Sequence, residues 1–155
     1  MVFKNLAMYH YWANQRIRSI VLEMRMPDYE TNIAGRNVRE ISTHITAALA
    51  TCFRILDESS DEGIYESILN SERVELLSMW NDYDERLSRV LQHIPQGKVL
   101  VRHISENPIE LDIMDFILQY VLHANHHRGQ LALLLRELGY DVPGTDYLHY
   151  FASRA

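Results

Sequence analysis

Apolar residues recur at intervals of three and four along four stretches of the chain, the spacing of amphipathic helices. In the first, over residues 3–26, Leu6, Tyr9, Ala13, Ile17, Ile20 and Met24 share a face, and Pro27 is the expected stop. The second opens where Asn37 and Glu40 have capping-box spacing, with Asn in place of the usual Ser or Thr. It runs to about Asp57, with Ile41, Ile45, Ala48, Cys52 and Ile55 on one stripe. The third covers residues 72–94, with Val74, Leu77, Trp80, Leu87, Leu91 and Ile94 expected to face inward and Pro95 after them. The fourth is expected to be capped by Asp112 and to run to Leu138, with Gly139 as its C-terminal stop. Its inward stripe reads Ile113, Phe116, Ile117, Tyr120, Ala124, Leu131, Leu134 and Leu138.

The stretches between these segments read differently. "DESSDEGIYES" is expected to be a loop, and "KVLVRHISENPIEL" alternates weakly and contains Asn-Pro, which suits a short hairpin or an extended linker. The tail "YDVPGTDYLHYFASRA" closes the chain. Four amphipathic helices with little strand signal predict an all-α four-helix bundle. The connections between the second and third and between the third and fourth helices are long, so simple up-down-up-down order is not required. No repeat, low-complexity run or composition break divides the sequence, so residues 1–155 are expected to form a single domain.

Composition narrows the function classes. Hydrophobic residues make up 47% and charged residues 23%, the balance of a soluble globular protein rather than a disordered one. The net charge of −6, with both signs interspersed, gives nucleic acid phosphates nothing to bind. Cys52 is the lone cysteine, which excludes an intrachain disulfide and a Cys-rich zinc motif and suits a reducing cytoplasm. The N-terminal residues lack a continuous apolar core, and no stretch approaches the ~20 apolar residues that span a bilayer. A soluble, cytoplasmic protein without a membrane partner is the expectation.

The candidate chemistry lies in "HANHHRGQL", residues 123–131. His123 and His127 are four apart, one above the other on a helix face and on or beside the apolar stripe. Two buried imidazoles cost several kcal/mol unless they are satisfied, by a metal or by hydrogen bonds to each other and to carbonyls. His44 lies at the edge of the second helix's stripe and could supply a third ligand, although a core histidine satisfied by a neighbour would occupy the same place. Three histidines from two facing helices would leave coordination positions open, as catalytic rather than structural sites do. His126 is expected to turn away from His127 as a flanking residue. His10 could line the same cavity or simply pack within the first helix. His93 and His103 are expected at the surface, and His149 in the tail carries no signal. Ala124 replaces the glutamate of a His-Glu-x-x-His protease, and no histidine has the Glu three residues earlier that di-iron bundles use. A nucleophilic Cys52–His44 pair stays open beside plain core packing of the cysteine.

The segment "LDIMDFILQYVLHANHHRGQLALLLRELG" closely resembles the signature of the DinB/YfiT-like superfamily, damage-inducible proteins with a metal-dependent site. The pattern His-x-x-x-His-Arg-Gly-Gln is matched by His123, His127, Arg128, Gly129 and Gln130. "YHYWANQRI", "REISTHITAA" and "PGTDYLHYFAS" are similar to further pieces of that family in the right order. Gln119 stands where a further histidine is common.

The resemblance implies a bundle that departs from simple up-down order, frequent homodimers, and a divalent metal, zinc or nickel, on His44, His123 and His127. It also implies a thiol S-transferase type of activity in detoxification or stress response. The cosubstrate would be a low-molecular-weight thiol such as bacillithiol, mycothiol or glutathione, joined to a small-molecule substrate. His10, Asn125, Arg128 and Gln130 are then candidates for contacts behind the ligands or with substrate, with Arg128 equally a surface or dimer residue. The alternatives are a non-enzymatic metal-binding dimeric stress protein and a metal-dependent hydrolase.

Overall fold

The computed structural model describes residues 2–57, 63–93, 95–102 and 106–155. The expected placements of Ile94 and His103, and residues 58–62 of the predicted loop, lie outside them. Four long helices form the bundle: α1 (Val2–Glu23), α3 (Val38–Leu56), α5 (Arg73–His93) and α6 (Ile113–Glu137). Short helices α2 (Met26–Glu30), α4 (Gly63–Asn70) and α7 (Tyr147–Ala152) and a hairpin of β1 (Lys98–Val101) and β2 (Ile109–Asp112) fill the connections.

The helix ends show how local chemistry sets the boundaries. The Asn37 side chain accepts from the Glu40 amide at 2.8 Å while the Asn37 amide donates to the Glu40 carboxylate at 3.2 Å, completing the capping box. The first helix stops at Glu23, three residues before the expected Met26, and Pro27 lies in the first turn of α2 instead of terminating α1. Asp112 occupies the N-cap position of α6, but its side chain makes no capping bond. As the last residue of β2 it pairs with Lys98, and the Ile113 amide donates to the Gly97 carbonyl, so the hairpin does what a cap would have done. At the other end Gly139 has φ 87°, and the amides of Gly139 and Tyr140 donate to the carbonyls of Arg136 and Leu135, a Schellman closure.

α1 packs on α5, α5 on α3, α3 on α6 and α6 on α1. Counted by long helices, the ring runs first, third, second, fourth, so the first and second helices are diagonal, as are the third and fourth. The α1–α3 and α5–α6 connections therefore cross an end of the bundle, which accounts for α2 in one and the hairpin in the other. The core is filled by Ile17, Ile41, Ile45, Leu49, Trp80, Leu87, Leu91, Ile117 and Leu131, each at most 2% exposed. Val74 departs from its expected inward place at 65% exposure; it sits in the first turn of α5 beyond the packed face that begins at Leu76 and Leu77. No helix of the described residues is long and apolar enough to cross a membrane.

Candidate metal centre

The seam between α3 and α6 carries the three histidines. On α3, His44 lies beside the buried row Ile41, Ile45, Leu49 and Cys52; on α6, His127 is buried and His123 half-buried between Tyr120, Ala124 and Leu131. The ring centroids of His44 and His127, and of His123 and His127, are 4.4 Å apart, and those of His44 and His123 are 5.0 Å apart. His44 Nε2 and His123 Nε2 approach to 3.0 Å, and one nitrogen from each of the three rings falls within 4.8 Å of the others. Nitrogens sharing a tetrahedral ion at ~2.0–2.1 Å stand roughly 3.3 Å apart, so the spacing fits a single cation.

The electrostatics fit as well. Desolvation, then the neighbouring rings of His127, His44 and His126, push His123 down to about 4. Burial also lowers His44 and His127, and the Arg36 guanidinium adds to both shifts. Each shift favours the neutral imidazole, the form that offers lone pairs to a metal.

Gln130 orients one of them. Its Oε1 accepts from His127 Nδ1 at 2.7 Å, which places the proton on Nδ1 and leaves Nε2 as the free lone pair. The same oxygen accepts from Arg36 at 3.3 Å, and Gln130 Nε2 donates to His126 Nε2 at 3.1 Å. His126 is exposed, but it does not turn away from His127 as expected: their ring centroids are 4.9 Å apart, and His126 holds the amide that holds His127.

The other residues considered for this site belong elsewhere. Arg128 is 1% exposed, which removes the surface reading, and it donates to Tyr9 OH at 2.7 Å, Asn14 Oδ1 at 2.8 Å and Asn125 Oδ1 at 2.6 Å. His10 is buried and bonds the Asp84 carboxylate at 2.9 Å, where Asn14 also donates at 3.0 and 3.1 Å and Arg18 completes the pairing. This buried polar network ties α1, α5 and α6 together, and Tyr150 and Tyr147 of α7 pack their rings on Tyr9. Asp84 falls between Trp80 and Leu87 on the inward stripe of its helix, a charge at an apolar position that could have disclosed the network from sequence. Cys52 is fully buried and desolvation pushes its thiol up to about 12, so it is core packing and not a nucleophile.

A cavity of about 600 Å³ opens beside His44 and His123. A smaller one of about 300 Å³, lined by Gly35, Arg36, Glu40 and Ile41, reaches His44 and His127 from the other side. Arg36 was not among the expected site residues; it is placed by the turn in which Ala34 and Gly35 take positive φ and Ile33 bridges to Arg36.

A four-helix bundle in which three imidazoles converge from facing helices beside a cavity defines a class of helical protein with a candidate histidine metal centre. The chain belongs to the DinB family, whose family model matches residues 1–154. A crystal structure assigned to that family, from Exiguobacterium sibiricum 255-15, superposes with a TM-score of 0.71 at 18% identity. That match covers 93% of this chain and 97% of the other, and it establishes likeness of fold. The uncharacterized protein YrdA of Bacillus subtilis (strain 168) is 32% identical over 82 residues. Those residues are 52% of this chain and span 39% of the length of YrdA.

Proposed function

We propose that the protein is a divalent-metal-dependent enzyme of the thiol S-transferase type, acting in detoxification or stress response. His44, His123 and His127 would hold zinc or nickel, both of which imidazole suits. The observation that carries this reading is the convergence of three imidazoles, two of which line a cavity large enough for a small molecule. Three protein ligands leave room for a further one, and a divalent ion there would favour the thiolate form of a bound thiol. The chain's own contribution is orientation: Gln130 fixes His127. A site that serves stability alone has no need of an adjoining cavity, which favours the enzymatic reading over a purely stabilising one.

The test is metal analysis of untagged protein together with turnover of electrophiles in the presence of a panel of thiols. Stoichiometric zinc or nickel, lost in His127→Ala along with thiol-dependent turnover, is the expected result. Absence of stoichiometric metal, with a metal titration unchanged by His44→Ala, overturns the metal site. Ester or amide hydrolysis without added thiol replaces the transferase by a hydrolase.

A further inference from the structure

We propose that the 600 Å³ cavity is the acceptor subsite, shaped for an elongated, largely apolar molecule that carries no negative charge beyond the imidazole end. The assignment of an acceptor rests on the transferase reading above; the shape and polarity of the subsite do not. His44, Ala48 and Thr51 line it from α3, spaced by four and three so that they share one face. On α6 the lining runs from His123 back through Tyr120, Gln119 and Phe116 to Asp115. The eight helical rises of ~1.5 Å from Asp115 to His123 make that wall ~12 Å long, so the cavity is a trough with the His44 and His123 rings at one end. Val101 and Leu111 of the hairpin line it as well.

The chemistry of the wall selects the occupant. Ala48, Val101, Leu111, Phe116 and the Tyr120 ring present apolar surface, and the Thr51 hydroxyl is already engaged by the Ala47 carbonyl at 2.8 Å and Tyr65 OH at 2.9 Å. Asp115 is the single charged residue among the described lining residues, and it is negative. No lysine or arginine is among the described lining residues, so beyond the imidazole end an anion would stand unpaired against apolar walls, and its desolvation is costly. The guanidinium near the triad belongs to Arg36, in the separate opening on the His127 side. A charged cosubstrate can thus approach the imidazoles without entering the trough.

Two fluorescent probes of nearly the same shape test this, compared with each other after chelation so that no cation at the imidazole end can pair with a sulfonate, and the uncharged one is then followed on the metal-loaded protein. N-phenyl-1-naphthylamine is uncharged, and 8-anilinonaphthalene-1-sulfonate adds a sulfonate. The uncharged probe should bind saturably and at least about tenfold more tightly than the sulfonate, since one unpaired charge readily accounts for a decade of affinity. Ala48→Phe should weaken the uncharged probe by about tenfold or more with metal content and helical circular dichroism unchanged. Leu111→Trp, on the hairpin wall, should do the same and serves if Ala48→Phe does not fold. Equal binding of the two probes, or unchanged affinity in both folded variants, overturns the proposal. His127 does not line the trough, so His127→Ala should lose metal yet keep the uncharged probe. Selective probe binding by a protein that holds no metal would overturn the metal reading and leave the trough standing. Metal binding without selective probe uptake would do the reverse.

Discussion

At the scale of single residues, Gln130 governs how the triad is presented. Its amide oxygen fixes the His127 tautomer, and its amide nitrogen is held in turn by His126. Replacing it with Leu keeps the size but removes the acceptor, freeing the His127 ring to rotate and to carry its proton on either nitrogen. Gln130→Leu should therefore lower zinc affinity by about 10–100-fold while leaving the unfolding midpoint of the metal-free protein nearly unchanged, as measured by competition with a chromophoric chelator. The three histidines were legible in the sequence because four-residue spacing and a common face are properties of one helix, and His44 fell on the edge of a second inward stripe. The role of Arg36 was not legible. Arg36 acts through a contact between elements, which a linear pattern does not record, whereas His126 lies four residues from Gln130 on α6, a spacing the sequence did offer. Arg128 lies on an apolar face of α6 among Val121, Ala124, Leu131, Ala132 and Leu135, so its burial had a signal in the sequence, whereas its reach between helices to Tyr9 and Asn14 did not.

At the scale of elements, polar joints inside and beside the core fix how helices meet. The Asp84 carboxylate is fully buried and receives His10, Asn14 and Arg18 from a single face of α1. Asp84→Ala leaves the Arg18 charge buried without its carboxylate, with only the Asn81 amide oxygen still accepting from it, and should cost about 3–5 kcal/mol in urea unfolding. A second joint lies where α2 meets the end of α6. Tyr140 OH donates to Asp28 at 2.6 Å and accepts from the Arg25 amide at 3.0 Å, while the Arg25 side chain pairs with the same carboxylate. The Tyr140 bond and then the Arg25 bond lower the Asp28 pKa below its ordinary 3.8. A depressed carboxylate stabilises the fold above its unfolded pKa, and the contribution disappears as pH falls through the folded value. Tyr140→Phe should therefore lower the urea midpoint at pH 6, and the gap from the parent protein should narrow towards pH 3. A gap that stays constant over that range would assign the effect to packing alone. The long helices were readable from their stripes, whereas α4 and α7, at 8 and 6 residues, span too few turns to establish a period. The hairpin was one of two readings left open, and its pairing of Lys98 with Asp112 decides between them.

At the scale of the whole molecule, the order of helices around the ring determines what a bound ion would do. α3 and α6 are neighbours in space, yet the whole of α5 and the hairpin separate them along the chain. Connection lengths permitted this order without requiring it, because a long link can join either adjacent or diagonal helices at small entropic difference. The three imidazoles come from these two helices alone, so a cation on them would act as a staple across the α3–α6 seam. The metal-free seam retains two rings whose Nε2 atoms meet at 3.0 Å with at most one proton between them, a weaker join than shared coordination. Binding confined to the folded state adds RT ln(1 + [L]/Kd), about 2.7 kcal/mol at a free metal concentration 100 times Kd. At roughly 2–4 °C per kcal/mol for a domain of this size, the midpoint of thermal unfolding should rise by about 5–11 °C on saturation with zinc. A chelator should reverse the rise. His127→Ala should show no response to either, and Asp84→Ala, destabilised at a distance from the seam, should keep the full increment. Equal increments in His127→Ala and the parent protein would place the metal somewhere other than on these three rings.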